Sequence, residues 1–252
     1  SLFLADNDCR WGSFDYSQQE PRLVVHYASS IGFAGSEDLI KAYQNEDADF
    51  HQTVADMAGI PRSQAKTINL GIFYGMGKNK LSRELGIDKQ QAEQILQEYN
   101  QRVPFVKQLA NNATEAADKN GAIWTLKGRK CRFEEWEPAS FGLYKATTFD
   151  DAVNKYGRGN IKRAYTYKAL NRLIQGSAAD QVKQAMIDCA KAGFYPILQI
   201  HDELCFNLKW EALEPQYKQI KKIMETCIPE LKVPSKVDIS IGKNWGNTDE
   251  IT

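Results

Sequence analysis

Two short acidic segments of this 252-residue chain interrupt its apolar stretches and could bind a divalent cation. Asp15 follows the segment 9–14 and opens a strongly polar run, and Pro21 then suits the first turn of a helix. We therefore expect Asp15 at the end of a strand that turns into a helix. Taken alone, an aspartate at such a place is more often a cap or turn residue than a metal ligand.

The second acidic segment, 201–203, has the sequence His-Asp-Glu and lies between two apolar segments, 197–200 and 204–206. Because ionisable side chains are costly to bury without a partner, this pattern predicts a hairpin whose tip directs them into a cleft. If the fold brings Asp15 and Asp202 together, their carboxylates would suit Mg²⁺, which prefers oxygen ligands. Two such ions, roughly 4 Å apart, can activate a hydroxyl and stabilise the leaving oxygen of one displacement.

A helix predicted after Pro61 carries a basic stripe. Arg62, Lys66, Leu70 and Tyr74 are four residues apart, so they lie on one slowly drifting face. Two cations one turn apart, with an aromatic ring further along, suit a ligand with an anionic end and a flat end, such as a nucleoside triphosphate. The alternative is that the two cations lie on a solvated face of the helix beside a core tyrosine. When this helix is considered by itself, its residues favour that alternative.

A third stripe is formed by Asn171 and Gln175, which lie one turn apart at the start of the small-residue segment 175–180. The two amides could contact base edges or sugars of a nucleic acid. The small residues would let another backbone approach closely. Tight helix packing is the alternative explanation.

Periodicity and turn residues predict the elements that must position these side chains. Two strands should surround the acidic segment within 195–208, and the alternation over 236–241 predicts a last strand. A hairpin should include a strand at 123–126, whereas 139–160 has no clear period and is expected to be a loop or insertion. His26, on an apolar helix, is expected to be a core histidine with a hydrogen-bond partner. The predicted helical regions are 23–28, 36–58, 61–74, 88–101, 104–119, 162–192 and 211–227.

The composition is that of an ordinary globular protein. The chain is 42% hydrophobic, and its 32 basic residues balance its 32 acidic residues, so net charge gives no reason to expect a nucleic-acid partner. The five cysteines form no CxxC pair, which indicates free thiols in a reducing compartment. No apolar run reaches the ~18 residues of a membrane span, and no signal peptide opens the chain. We expect a soluble cytoplasmic protein with no membrane partner.

Three motifs, in this order, resemble those of the family A DNA polymerases. The segment 15–22, DYSQQEPR, is similar to the first motif of the family, and 62–75, RSQAKTINLGIFYG, is similar to its fingers-helix motif. The segment 199–203, QIHDE, is similar to the third motif. Each motif is moderately specific, but all three in the right order make a chance match implausible. The likeness extends over nearly the whole chain.

The resemblance implies a metal site. Asp15 and Asp202 would hold two Mg²⁺ ions, for which Mn²⁺ could substitute. The backbone carbonyl of Tyr16 would assist, and Glu203 would support the site.

The resemblance also implies a nucleotide site. Arg62 and Lys66 would bind the triphosphate of the incoming nucleotide, and Lys66 would protonate the pyrophosphate. His51 would add a phosphate contact, and Tyr74 would lie near the nascent base pair. Leu70 stands where the family usually has Phe or Tyr beside the sugar, which would affect the rate and the discrimination at the 3′ position but not the reaction.

The remaining implied contacts concern the sugar and the DNA. Glu20 would fill the space of a ribose 2′-hydroxyl and so select deoxynucleotides, and Gln18 would contact the sugar or Glu20. Asn171, Gln175 and His201 would line the primer–template path.

The expected fold is α+β. An antiparallel-sheet palm would comprise 1–30 and 166–252, and a mostly helical fingers domain would comprise 31–165. A thumb, and any exonuclease domain, would lie upstream, so we expect a fragment of a longer polymerase from a bacterial cell or a phage-infected host. Its partners would be primer–template DNA and dNTPs. Without a thumb, DNA binding should be weak and strongly salt-dependent.

Several residues depart from the family pattern, and two alternative functions stay open. Gln19 and Pro21 replace apolar residues, Tyr167 stands where an Arg is usual, and 139–160 is inserted; with the short 51–62 segment, these features favour a phage-type branch. One rival is a single-subunit RNA polymerase, against which Glu20 and the Asp-Glu pair argue. The other rival is a catalytically idle nucleic-acid-binding module.

Overall fold

The computed structural model describes residues 2–44, 49–73, 76–140, 142 and 144–251. Within these residues, the helices are α1 Gln19–Ile31, α2 Ser36–Gln44, α3 Phe50–Ala58, α4 Arg62–Phe73, α5 Lys78–Leu85, α6 Lys89–Arg102, α7 Pro104–Asn120, α8 Phe149–Tyr156, α9 Ala169–Lys191 and α10 Leu213–Thr226. The strands are β1 Cys9–Tyr16, β2 Ala122–Trp124, β3 Lys130–Arg132, β4 Trp136–Pro138, β5 Ile161–Arg163, β6 Leu198–Ile200, β7 Glu203–Lys209, β8 Val237–Asn244 and β9 Asn247–Ile251. All the described strand pairs are antiparallel, which confirms the α+β class.

The chain divides into two compact units. The first comprises Ser1–His26, Leu39–Phe50 and Ser177–Thr252, and the second comprises Tyr27–Asp38 and His51–Gly176. No described helix is both long enough and apolar enough to cross a membrane.

The first unit is built on a five-stranded sheet with the strand order β6-β7-β1-β8-β9. Side chains alternate between the two faces of a strand, so β1 sends Phe14 to one face and Asp15 to the other. Phe14 is fully buried, and its ring meets that of Phe206 edge-on, with centroids 5.3 Å apart. The apolar face packs against the C-terminal part of α9 and against α10, where Ile220 and Met224 are buried. This core holds β1 in the middle of the sheet.

The second unit is mostly helical. Helix α7 begins with Pro104 in its first turn and buries Phe105, Val106 and Leu109, at the spacing of one helix face. Asp88 caps α6 through a reciprocal capping box with Gln91. These local signals are strong, and α6 and α7 are predicted nearly to the residue.

Three predictions of local structure are wrong. The helix predicted over 162–192 begins only at Ala169, because 161–163 form β5, which pairs with β4. The segment 139–160, expected to be a loop, contains α8, whose first turn is capped by Thr148. The strand predicted over 236–241 is not the last, since the polar strand β9 follows it and pairs with β8.

Candidate functional site

A group of carboxylates surrounds Asp15 on the face of the sheet opposite the apolar core. Asp15 is the penultimate residue of β1, and it lies opposite Glu203 of β7 on one side and Asp238 of β8 on the other. Asp202 occupies the turn between β6 and β7, where its carbonyl oxygen accepts a hydrogen bond of 3.5 Å from the Tyr16 backbone N–H. The predicted strand end and hairpin tip are both confirmed, and they bring the two remote aspartates together.

The crowding of like charges changes the acidity of Asp15. Burial and then the neighbouring carboxylates of Asp202, Glu203 and Asp238 raise the pKa of Asp15 from 3.8 to about 6. Sequence analysis missed Asp238. The signal was available, because aspartate is disfavoured in strands and here occupies the polar face of a strongly alternating segment.

This donor set fits a divalent cation. The described residues contain no group of three or more His, Cys, Asp or Glu side chains that could hold a metal ion. Mg²⁺, however, is usually held by one or two carboxylates together with substrate phosphates and water. Asp15 and Asp202 supply such a pair, and a cation between them would relieve the repulsion that raises the pKa of Asp15.

Three other predicted residues of the first unit lie close to this cluster. Burial raises the pKa of Glu20, an effect that His201 opposes and Asp202 reinforces, so the three groups interact electrostatically. His201 is exposed in a left-handed turn conformation (φ 57°), with its Nδ1 3.9 Å from Asp202 Oδ1. Glu203 accepts hydrogen bonds of 3.4 Å from the Cys205 thiol and from the Trp245 indole N–H.

The turn after Asp15 is held by Gln18 and Arg22. The Gln18 amide oxygen accepts hydrogen bonds from the Phe50 backbone N–H at 2.9 Å and from the Tyr43 hydroxyl at 3.3 Å. Arg22 is buried, donates to two backbone carbonyls at 2.9 and 2.6 Å, and stacks 4.4 Å above the Tyr43 ring. The predicted contact of Gln18 with a sugar or with Glu20 stays a prediction.

The departure at Gln19 has a structural explanation. Its side chain is buried and donates to the Ala178 carbonyl at 3.3 Å and to the Gln181 amide oxygen at 3.1 Å. Gln181 in turn donates to the Ser235 hydroxyl at 2.7 Å. Gln19 thus belongs to a chain of satisfied hydrogen bonds, which is the condition for burying an amide at low cost.

The basic stripe lies on α4, in the second unit. Arg62 and Lys66 are exposed one turn apart, and Leu70 is half-buried on the following turn. Tyr74 lies outside the described residues. The roles of these residues in nucleotide binding stay predictions.

His51 belongs to a buried polar group in the second unit. Its Nδ1 lies 3.2 Å from Asn69 Nδ2, and Asn69 Oδ1 accepts a hydrogen bond from the Tyr99 hydroxyl. All three residues are buried, so the group ties α3, α4 and α6 together. The predicted phosphate contact of His51 is untested, and its ring orientation is fixed by Asn69.

The amide stripe lies at the start of α9, with Asn171 half-buried and Gln175 exposed. The close approach predicted for the next residues occurs at Gly176, where an added Cβ would lie 2.7 Å from Thr125 Cγ2. The Gly176 carbonyl also accepts a hydrogen bond of 2.6 Å from Arg129. The approaching group is a side chain, not the backbone that we expected.

Comparison with known proteins agrees with the three motifs. The profile of DNA polymerase family A matches residues 1–247, and the chain therefore belongs to this family. A DNA-directed DNA polymerase of Pseudomonas phage M6 is 36% identical over 292 aligned positions, which cover 98% of this chain and 40% of that protein. The thermostable DNA polymerase I of Thermus aquaticus is 31% identical over 98% of this chain and 28% of that protein.

A solved structure supports the same fold. The POL domain of Pol1 from M. smegmatis, in complex with DNA primer-template and dNTP, matches with a TM-score of 0.76 and 27% identity. The match covers 96% of this chain and 41% of that one. The chain thus spans less than half the length of these relatives.

Proposed function

We propose that this chain is the polymerase portion of a DNA-directed DNA polymerase, which adds deoxynucleotides to a primer 3′ end under the direction of a DNA template. The observation that carries the proposal is that Asp15, at the end of β1, and Asp202, in the turn between β6 and β7, lie close together in the five-stranded sheet. Membership of DNA polymerase family A and the likeness to a POL domain that binds primer-template and dNTP support it. In this proposal 1–30 and 166–252 form the palm and 31–165 form the fingers.

Asp15 and Asp202 would hold two Mg²⁺ ions, with the Tyr16 carbonyl and Glu203 assisting. When bound, such ions acidify a primer hydroxyl and offset the charge of a departing pyrophosphate. The primer 3′ oxygen would form a bond to the α-phosphorus, and the bond from that phosphorus to the bridging oxygen would break. The chain's own part is to hold these groups in line, because phosphoryl transfer depends mainly on positioning and charge.

The other predicted residues would bind the substrates. Arg62 and Lys66 would contact the triphosphate, His51 would add a further phosphate contact, and Lys66 would give a proton to the pyrophosphate. Glu20, which lies near the cluster, would exclude a ribose 2′-hydroxyl. The residues assigned to the sugar, the base pair and the DNA path remain Gln18, Leu70, Tyr74, Asn171, Gln175 and His201.

Primer extension tests this proposal. In the full-length parent protein, Asp202→Ala and Asp202→Asn should abolish Mg²⁺-dependent dNTP incorporation while leaving the circular dichroism spectrum unchanged. Asp249→Asn, an exposed aspartate of β9, is the matched control and should retain activity. Activity in a folded Asp202 variant would refute the assignment, and preference for rNTPs over dNTPs would favour the RNA polymerase rival.

A further inference from the structure

A pocket of about 410 Å³ lies in the second unit beside the insertion. Its lining comes from α7, from the β4–β5 pair and from the segment 165–167. Three aromatic residues, Trp136, Tyr165 and Tyr167, share it with polar and charged side chains. The volume falls within the range of roughly 300 to 1,000 Å³ that is usual for small-ligand sites.

Helix α8 supports one lining residue of this pocket, Trp136. The Phe149 ring of α8 packs against Trp136 with centroids 4.9 Å apart. On the same indole, the Arg163 guanidinium lies 4.5 Å from the ring centroid. Arg163 is itself anchored by donating to the carbonyls of Asp118 at 3.1 Å and Phe133 at 2.9 Å. Trp136 therefore contacts both α8 and an immobilised cation.

Two tyrosines, Tyr165 and Tyr167, also line the pocket, and Lys168 lies beside both rings. The Tyr167 side chain is 56% exposed, although it belongs to an ordered 3-10 turn. Tyr165 has a φ of 62°, a left-handed conformation that residues other than glycine rarely adopt. The Lys168 ammonium lies 4.7 Å from the Tyr165 ring centroid and 5.6 Å from that of Tyr167. An ammonium is thus held close to two rings, one of which is open to solvent.

A cation beside an exposed aromatic ring favours an anionic ligand with a flat apolar part. Glu137 is paired with Lys162 at 3.5 Å, so its charge is largely balanced. Two acidic residues, Asp118 and Glu137, and two basic ones, Lys162 and Arg163, line the pocket, so the charges of the lining balance. Lys168, beside the rings of Tyr165 and Tyr167, adds a positive charge next to it. Aromatic rings beside cations are the usual means by which proteins bind unpaired nucleotides, with a base stacked on the ring and its phosphate near the cation.

We propose that this pocket binds an unpaired nucleotide of a DNA strand, with the base stacked on Tyr167 and the phosphate near Lys168. The inference rests on the proposed function for the choice of DNA as ligand. It uses none of the residues assigned to the metal ions, the incoming nucleotide or the primer–template path. Helix α8, through the packing of Phe149 on Trp136, would then have a role in holding single-stranded DNA.

Equilibrium binding of fluorescent oligothymidylate to the 252-residue chain tests the pocket. Tyr167→Ala should weaken binding by about five- to a hundredfold, the usual range for loss of one stacked base. Tyr167→Phe keeps the ring and should bind nearly as well as the wild type. Lys168→Ala should weaken binding and reduce its dependence on salt. Tyr195→Ala, which removes a 71% exposed tyrosine of the first unit, is the matched control and should change nothing.

An abasic oligonucleotide separates stacking from simple charge attraction. If the base stacks on Tyr167, the abasic strand should bind more weakly and should be insensitive to Tyr167→Ala. Equal binding of both strands, or wild-type binding of oligothymidylate by a folded Tyr167→Ala variant, would overturn the proposal. Primer extension by the same preparations is measured separately. If the protein binds the strand through Tyr167 but does not extend a primer, the proposed function is refuted and the pocket proposal stands.

Discussion

Replacing Asp15 with asparagine should stabilise the protein when divalent metal ions are absent. The Asp15 carboxylate faces three other acidic groups, and burial together with these neighbours raises its pKa from 3.8 to about 6. At neutral pH the folded state therefore carries an unfavourable charge that the unfolded chain does not feel. Asparagine has nearly the same shape, removes that charge and can donate a hydrogen bond to Asp202.

The magnitude follows from the size of the pKa change. The rise from 3.8 to about 6 corresponds to about 3 kcal/mol if the carboxylate were fully shielded, since one pH unit is worth about 1.4 kcal/mol. Asp15 is only partly shielded from solvent, so screening reduces this value, and we expect about 1 kcal/mol. Because the folded state binds the proton more tightly, the cost grows as pH rises from 3.8 to about 6 and is fully present above that window.

Urea unfolding with EDTA, repeated across this pH range, measures the effect. The free energy of unfolding of Asp15→Asn should equal that of the wild type below this pH window and should be larger above it. Asp249→Asn, which lies outside the cluster, should change the unfolding free energy by less than ~0.5 kcal/mol at every pH. Adding Mg²⁺ should stabilise the wild type more than Asp15→Asn. A variant that is no more stable than the wild type at neutral pH would show that the carboxylates do not repel one another as the geometry indicates.

Three further changes probe the scaffold. Burial lowers the pKa of His26 from 6.5, so stability should fall as pH drops below that value, and His26→Asn should lessen this fall in pH-dependent unfolding. Gly176→Ala should cost about 1–3 kcal/mol, because its Cβ would lie 2.7 Å from Thr125 Cγ2, and Thr125→Ser should restore part of the loss in a double-mutant unfolding cycle. Arg22→Met should cost about 2–4 kcal/mol in urea, since two backbone carbonyls lose a charged donor. Arg10→Met removes a cation from the exposed Trp210 ring and should cost less than ~1 kcal/mol; an equal loss at both arginines would refute the argument from burial.

Local sequence signals were sufficient where an element's boundaries depend on its own residues. Helices α6 and α7 are bounded by Asp88, Pro104 and Gly121, and each of these acts through a cap or a fixed backbone angle. His26 was correctly predicted to be a core histidine: it is buried, and its Nδ1 accepts a hydrogen bond of 3.2 Å from the Lys232 backbone N–H.

Local signals failed where pairing with another strand decided the structure. The segment 161–163 resembles the start of a helix, yet it forms β5 because 136–138 offer it a partner. Strand β9 has no apolar alternation, and the edge of β8 alone makes it a strand. In both cases the hydrogen bonds come from a partner strand, which the residue pattern of the segment itself does not contain.

The sequence by itself determined the membership of the polymerase family, the strand end that presents Asp15 and the hairpin turn that presents Asp202. Only the tertiary structure decided what surrounds them, because strand register is set by packing of the apolar face. That register places Asp238 opposite Asp15. Asp15 therefore has a third carboxylate neighbour besides Asp202 and Glu203, which sequence analysis had selected. The register also turns two separate acidic signals into one charged cluster, in which the pKa of Asp15 is a property of the group.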